Sequence, residues 1–192
     1  MSIKTDIGRI KSAIRDSSAV LASLEPLAGE LGVICGQIID ALKSGRKILT
    51  AGNGGSACEA LHMSEELIGR FKTDRRPLPS VSLCADPTVL TCIGNDFGFD
   101  SIFSRQIEGL GEKDDILVLF SSSGNSVNLI NCFEPAKRKG VKTISIIGKG
   151  GGKMKGRGDH ELIVNSSATE RVQEAHQLIM HIILDAIEEA FK

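Results

Sequence analysis

The chain has 192 residues, a net charge of -1, 41% hydrophobic and 24% charged residues. That length suits one domain able to bury about 70% of its unfolded surface without disulfides, and the composition excludes a disordered chain. Lys and Arg are spread along the sequence rather than clustered, and Trp and Tyr are absent, so no nucleic-acid surface and no aromatic stacking platform is expected.

The charged N-terminus has no apolar signal core, and no run approaches the ~20 apolar residues of a membrane span, so a cytoplasmic protein with no membrane partner is expected. Five cysteines, Cys35, Cys58, Cys84, Cys92 and Cys132, form no C-x-x-C pair and read as reduced, mostly buried thiols.

Apolar spacing predicts two helices over residues 3–45. The first carries Ile7, Ile10, Ile14, Val20 and Leu21, and the second Leu31, Val33, Ile34, Ile38, Ile39 and Leu42. KILTAG (47–52) reads as a buried strand, followed by a helix from Gly55 to Phe71. SVSLCA (80–85) is a strand, and 87–110 is helical with a break between Gly94 and Gly98. ILVLF (116–120) is a strand, followed by a helix from Ser126 to about Lys139. TISIIG (143–148) and ELIV (161–164) are strands, and a long helix runs from Thr169 to Phe191. The glycine- and lysine-rich stretch 148–158 reads as a surface loop. Strands alternating with helices predict one three-layer α/β domain over 1–192: a parallel, flavodoxin-like sheet of about five strands preceded by two helices.

Two strands end in turns rich in small polar residues, Ala51-Gly52-Asn53-Gly54-Gly55-Ser56 and Ser121-Ser122-Ser123-Gly124-Asn125-Ser126. Ligands of open α/β sheets bind outside the carboxyl ends of strands. The second turn gathers hydroxyls and N–H groups before a helix, an anion cradle without lysine. No P-loop motif is present, and Gly148-Lys149-Gly150-Gly151-Gly152-Lys153 has lysine where a dinucleotide fingerprint needs its third glycine.

His62 and Glu66 share one helix face with Gly55 and Glu59, opposite an apolar side of Ala57, Ala60, Leu67, Ile68 and Phe71. On the last helix Val172, Ala175, Leu178, Ile179, Ile182 and Ile183 form the apolar face, with Gln173, Gln177 and His181 off it. His, Glu and Gln could hold a divalent metal. Eight residues separate Gln173 from His181, however, a rise of ~12 Å along a straight helix.

The stretches AGNGGSACEALHMSEELIGRF (51–71), LCADPTVLTCIGNDFGFDSIFSRQIEGLG (83–111), SSSGNSVNLINCFEPAKRKGVKTISIIGKGGGK (121–153) and ERVQEAHQLIMHIILDAIE (170–188) resemble, in collinear order, the phosphoheptose isomerases of the sugar-isomerase (SIS) domain superfamily. The resemblance implies interconversion of sedoheptulose 7-phosphate and D-glycero-D-manno-heptose 7-phosphate, opening bacterial heptose biosynthesis. It implies Glu66 and His181 as the acid/base pair, and one zinc per subunit on His62, Glu66, Gln173 and His181. Asn53, Gly54, Gly55, Ser56, Asn95, Asp96, Ser121, Ser122, Ser123, Ser126 and Gln173 would line the sugar-phosphate site. A homotetramer with shared sites is implied, with 1–45 packing on the domain and on neighbouring subunits. Glu59, Leu61 and Ser122 depart from the common pattern, the last keeping the hydroxyl of the family's Thr. Two alternatives remain: a non-enzymatic SIS protein that binds the replication initiator, and an isomerase of another phosphosugar. Retention of Glu66 and His181 favours the enzyme.

Overall fold

The computed structural model describes residues 6–192; the start of the first expected helix, at residues 3–5, lies outside them. Helices α1 (Ile7–Ala22) and α2 (Ala28–Lys43) are joined by a short 3-10 turn, Glu25–Leu27, containing Pro26. Asp6 starts α1, its carboxylate accepting the Gly8 and Arg9 N–H groups at 2.9 and 3.3 Å. One window within Ile7–Lys43 has a mean hydropathy of 1.4, enough by length and composition alone for a membrane span. The turn at Pro26 divides that stretch. α2 places Leu31, Ile34, Ile38 and Leu42 in the core, where it packs on α8 (Thr169–Ala190).

Five parallel strands follow: β1 (Ile48–Gly52), β2 (Ser80–Ser82), β3 (Ile116–Ser121), β4 (Lys142–Ile147) and β5 (His160–Ile163), in spatial order β2-β1-β3-β4-β5. β1 and β3 are buried along their whole length, as strands covered by helices on both faces must be. Between them run α3 (Gly55–Ile68), α4 (Pro87–Phe97), α5 (Ser104–Leu110), α6 (Val127–Ile130) and α7 (Phe133–Lys139). One apolar cluster packs α2, α3 and α8 on one face of the sheet; a second packs α4 to α7 on the other.

Several boundaries differ from expectation for local reasons. The break in 87–110 falls at Gly98, whose φ of +85° ends α4, while Gly94 sits inside the helix. The helix expected over 126–139 is interrupted near Asn131. Pro135 cannot donate to the carbonyl four residues back and its ring crowds that carbonyl, so the chain restarts as α7 with Pro135 in its first turn. The stretch 148–158 is not all surface, since Gly151 and Met154 are buried. Of the five thiols, only Cys35 and Cys132 are buried, while Cys58 and Cys92 are exposed and all are free. Burial pushes the Cys35, Cys84 and Cys132 thiols up, keeping them protonated.

A buried ion pair ties the end of α3 to α8. Arg75 Nε donates to Glu188 Oε2 at 3.0 Å, and its other nitrogens donate to the Leu67 and Glu66 carbonyls at 2.9 and 2.7 Å. The other oxygen, Glu188 Oε1, accepts from Thr73 N–H and from Thr73 Oγ1 at 2.6 Å. Burial alone would raise the Glu188 carboxyl, but the bonds from Thr73 and Arg75 outweigh it and hold the group below the usual carboxylate range. A depressed carboxylate stabilises the fold above its unfolded value of 4.5, and that contribution is lost as pH falls through the folded value. Acid titration of the thermal midpoint below that pH should therefore fall more steeply for the wild type than for Glu188→Gln. Equal slopes would remove Glu188 from the acid response. Arg75→Ala, which strands a buried carboxylate, should cost about 3–5 kcal/mol of unfolding free energy at neutral pH.

Candidate active site

The two polar turns lie side by side because their strands do: β1 and β3 are paired, with Gly52 opposite Phe120. Gly52 must be glycine, as a Cβ there would stand 2.2 Å from the Ser56 carbonyl oxygen. Asn53 and Asn128, at the start of α6, exchange two amide bonds of 2.9 Å and lock one turn to the other. Ser56 is buried in the first turn of α3, whereas Gly54 and Gly55 are open to solvent. Gln173, in the second turn of α8, lies over Gly55: a Cβ on Gly55 would meet its Nε2 at 2.1 Å.

In the second turn Ser121 is buried and its Oγ accepts the Gly124 N–H at 3.0 Å, while Ser123 Oγ accepts the Asn125 N–H at 3.2 Å. Ser122, Ser123 and Ser126 are half-buried. Ser126 precedes α6 without capping it by its side chain. Because α6 has only one turn, its dipole is slight, and the donors this turn offers are its hydroxyls and N–H groups.

α3 and α8 run parallel, since Gly55 meets Gln173 at one end and His62 meets His181 further along. His62 Nε2 lies 3.1 Å from Glu66 Oε1. The His62 and His181 rings meet edge to face at 5.4 Å, and Phe71 stacks on His181 at 5.8 Å. His62, Glu66 and His181 are thus assembled within one chain. Gln173 is not with them: it sits beside Gly55, seven residues and about 10 Å up α3 from His62, and α8 is unbroken between Gln173 and His181. Asn95 and Asp96 are exposed on the last turn of α4, bonded to each other at 2.7 Å, and touch none of these residues.

The face assignments need correction in two places. Ile68 and Ile182, expected on apolar faces, are 51% and 40% exposed. Glu59, expected on the open polar face, is buried with His176, their Oε2 and Nδ1 3.2 Å apart and the His176 ring against Phe120. Sequence reasoning also passed over Asn128, Phe71 and Glu65. Glu65, exposed, forms a tight group with His62 and Glu66. A cleft of about 880 Å³ lies elsewhere, between α5, α7 and the N-terminal end of β4, and is lined by none of the expected site residues.

Imidazole and carboxylate are zinc donors; among the described residues the donor atoms close enough to share an ion are those of His62, Glu65 and Glu66, and the His181 ring lies beside His62. Gln173 does not reach this group within the chain.

Comparison with known proteins gives the family of the chain. The SIS domain profile matches residues 14–148. The phosphoheptose isomerase of Campylobacter concisus (strain 13826) is 44% identical over 183 residues, covering 95% of this chain and 97% of that one. The chain belongs to the phosphoheptose isomerase family. The solved phosphoheptose isomerase from Francisella tularensis superposes with a TM-score of 0.92 at 32% identity, covering 96% of this chain and 99% of that one. That from Neisseria gonorrhoeae gives 0.88 at 35% identity, covering 95% and 98%. This family member is a sugar-phosphate isomerase, with the parallel five-stranded fold expected from its sequence.

The Asn53–Asn128 pair yields a prediction. Asn128→Ala removes both amide bonds and should cost about 1–3 kcal/mol in a denaturant titration. It should also raise KM for the phosphosugar, because Asn53 is then free to leave the turn. Unchanged KM and stability would show that the two turns are positioned by other contacts.

Proposed function

We propose that this isomerase interconverts sedoheptulose 7-phosphate and D-glycero-D-manno-heptose 7-phosphate, with Glu66 and His181 transferring the protons. The observation that carries this reading is the approach of His62, Glu66 and His181 on adjacent helices. The relatives' names supply the substrate class. In the ketose-to-aldose direction a base removes a proton from C1, an enediol forms, a proton is returned to C2, and the hydroxyl proton passes from O1 to O2. A carboxylate and an imidazole on opposite sides of the carbon chain can share these transfers, each typically worth ~10²–10⁴-fold. The 7-phosphate is assigned to Ser121, Ser122, Ser123 and Ser126, and the sugar hydroxyls to Asn53, Gly54, Gly55, Ser56, Asn95, Asp96 and Gln173.

Zinc held by His62, Glu66, Gln173 and His181 would polarise the sugar oxygens and favour the enediolate. Because one chain keeps Gln173 from the other three, the full set is assigned to an oligomer, a tetramer by family resemblance, in which neighbouring subunits complete each site. Two observations support this. α1 buries none of its residues and leaves Ile7 and Ile14 more than 60% exposed, and the cluster of His62, Glu66 and His181 lies outside the 880 Å³ cleft of the single chain. The reaction belongs at the start of heptose biosynthesis in the cytoplasm.

Glu66→Gln and His181→Gln should each lower turnover of sedoheptulose 7-phosphate at least ~10²-fold with the fold intact by circular dichroism. Near-normal turnover in either variant would remove that residue from the mechanism. Metal analysis and mass measurement on the same preparations test zinc and assembly together. A fully active monomer after chelation would refute both.

A further inference from the structure

The stretch after β4, Gly148 to Met154, is packed against the serine turn in an unusual way. Gly150, Gly151 and Gly152 all have positive φ, at 75°, 90° and 53°, a run that residues with a Cβ adopt only under strain. Both ends of the run are anchored. Lys149 Nζ donates to Thr169 Oγ1 at 2.8 Å at the start of α8, Met154 N–H donates to the Gly124 carbonyl at 2.9 Å, and Lys153 N–H donates to Asn125 Oδ1 at 3.1 Å.

The close approaches are specific. A Cβ on Gly148 would stand 2.7 Å from the Ser122 carbonyl oxygen, and one on Gly152 would stand 2.5 Å from the Ser123 carbonyl oxygen and 2.8 Å from Asn125 Oδ1. In return, a Cβ on Gly124 would stand 1.9 Å from the Gly151 carbonyl oxygen. Gly150 has the same handedness and nothing within 4 Å of its Cβ position. The carbonyls of Ser122 and Ser123 are therefore turned down onto glycine backbone. Among the described residues, the N–H groups of Ser122, Ser123 and Ser126 have no acceptor in the protein. An anion needs that partition: carbonyl oxygens turned away and N–H groups left facing it.

We propose that Gly148 and Gly152 are positioning residues for phosphate recognition, forming a floor that holds the serine turn with its carbonyls inward and its N–H groups free for the phosphate of the substrate. The proposal rests on the assignment of that turn to phosphate. It gives the GKGGGK motif, which fits no nucleotide fingerprint, a role within the isomerase site.

The test compares Gly152→Ala with Gly150→Ala. Both place a Cβ on a backbone with positive φ, but only the first drives it into the serine turn. Gly152→Ala should raise KM for sedoheptulose 7-phosphate at least ~10-fold and weaken competitive inhibition by inorganic phosphate in parallel, with kcat held within ~3-fold. Gly150→Ala should leave KM and the phosphate inhibition constant within ~2-fold of wild type. Equal KM shifts in the two variants, or a loss of kcat without a KM shift in Gly152→Ala, would overturn the proposal. If Gly152→Ala does not fold, Asn125→Ala, which cuts the bonds to Lys153 N–H and to the Ser123 carbonyl, should raise KM in the same sense; an unchanged KM there overturns it as well. Ser121→Ala run alongside separates the two levels. If it raises KM while Gly152→Ala does not, only the floor is wrong; if neither does, the phosphate assignment fails with it.

Discussion

The parallel packing of α3 on α8 is the constraint on which the rest of the structure depends. Neither helix alone carries a site. Side by side and in this register, they bring His62 and Glu66 to His181, and Gly55 to Gln173. The register is set by buried polar contacts as well as apolar ones: Glu59 with His176 in the middle, and Arg75 with Glu188 at the far end. Buried polar partners tolerate little displacement, because moving either one leaves the other unpaired in a low dielectric. Apolar contacts would allow sliding. Thr50, Ser64 and Ser80 add a hydroxyl chain that ties α3 to β1 and β2 beneath it.

The second constraint acts at the carboxyl end of β3. A phosphate cradle built without lysine depends on the orientation of its peptide groups, and one reversed carbonyl would repel the anion it should hold. On the proposed reading, the glycines after β4 hold those peptide groups in place by contact. The two constraints meet at the N-terminus of α8, where Val172 lies against Gly148 and Lys149 reaches Thr169. The serine turn and the helix pair are thus connected through a few contacts.

Much of this was legible in the sequence. Alternating strands and helices gave the parallel sheet and its two terminal helices, and the turns after β1 and β3 stood out by composition alone. The interruption near Asn131 was missed, although Pro135 carries the signal for it. Other features were hidden for physical reasons. Glu59 was placed on the open polar face of α3, because periodicity cannot see that His176 supplies its partner across two helices. The same blindness placed Ile68 and Ile182 in the core, although half of each remains open. The floor beneath the serine turn depends on distances between backbone atoms about 28 residues apart, Gly124 against Gly152, for which composition offers only a run of glycines. The departure of Gln173 from the other three donors follows from the straightness of α8, which the eight-residue spacing already indicated.

The most direct test of this account is a crystal structure of the protein with sedoheptulose 7-phosphate bound to the Glu66→Gln variant. The account predicts the phosphate on the Ser121–Ser126 turn, accepting from the Ser122 and Ser123 N–H groups, with C1 and C2 of the sugar between residue 66 and a His181 imidazole. A phosphate bound elsewhere, such as in the cleft between α5 and α7, or a sugar whose C1 and C2 lie far from both side chains, would contradict it.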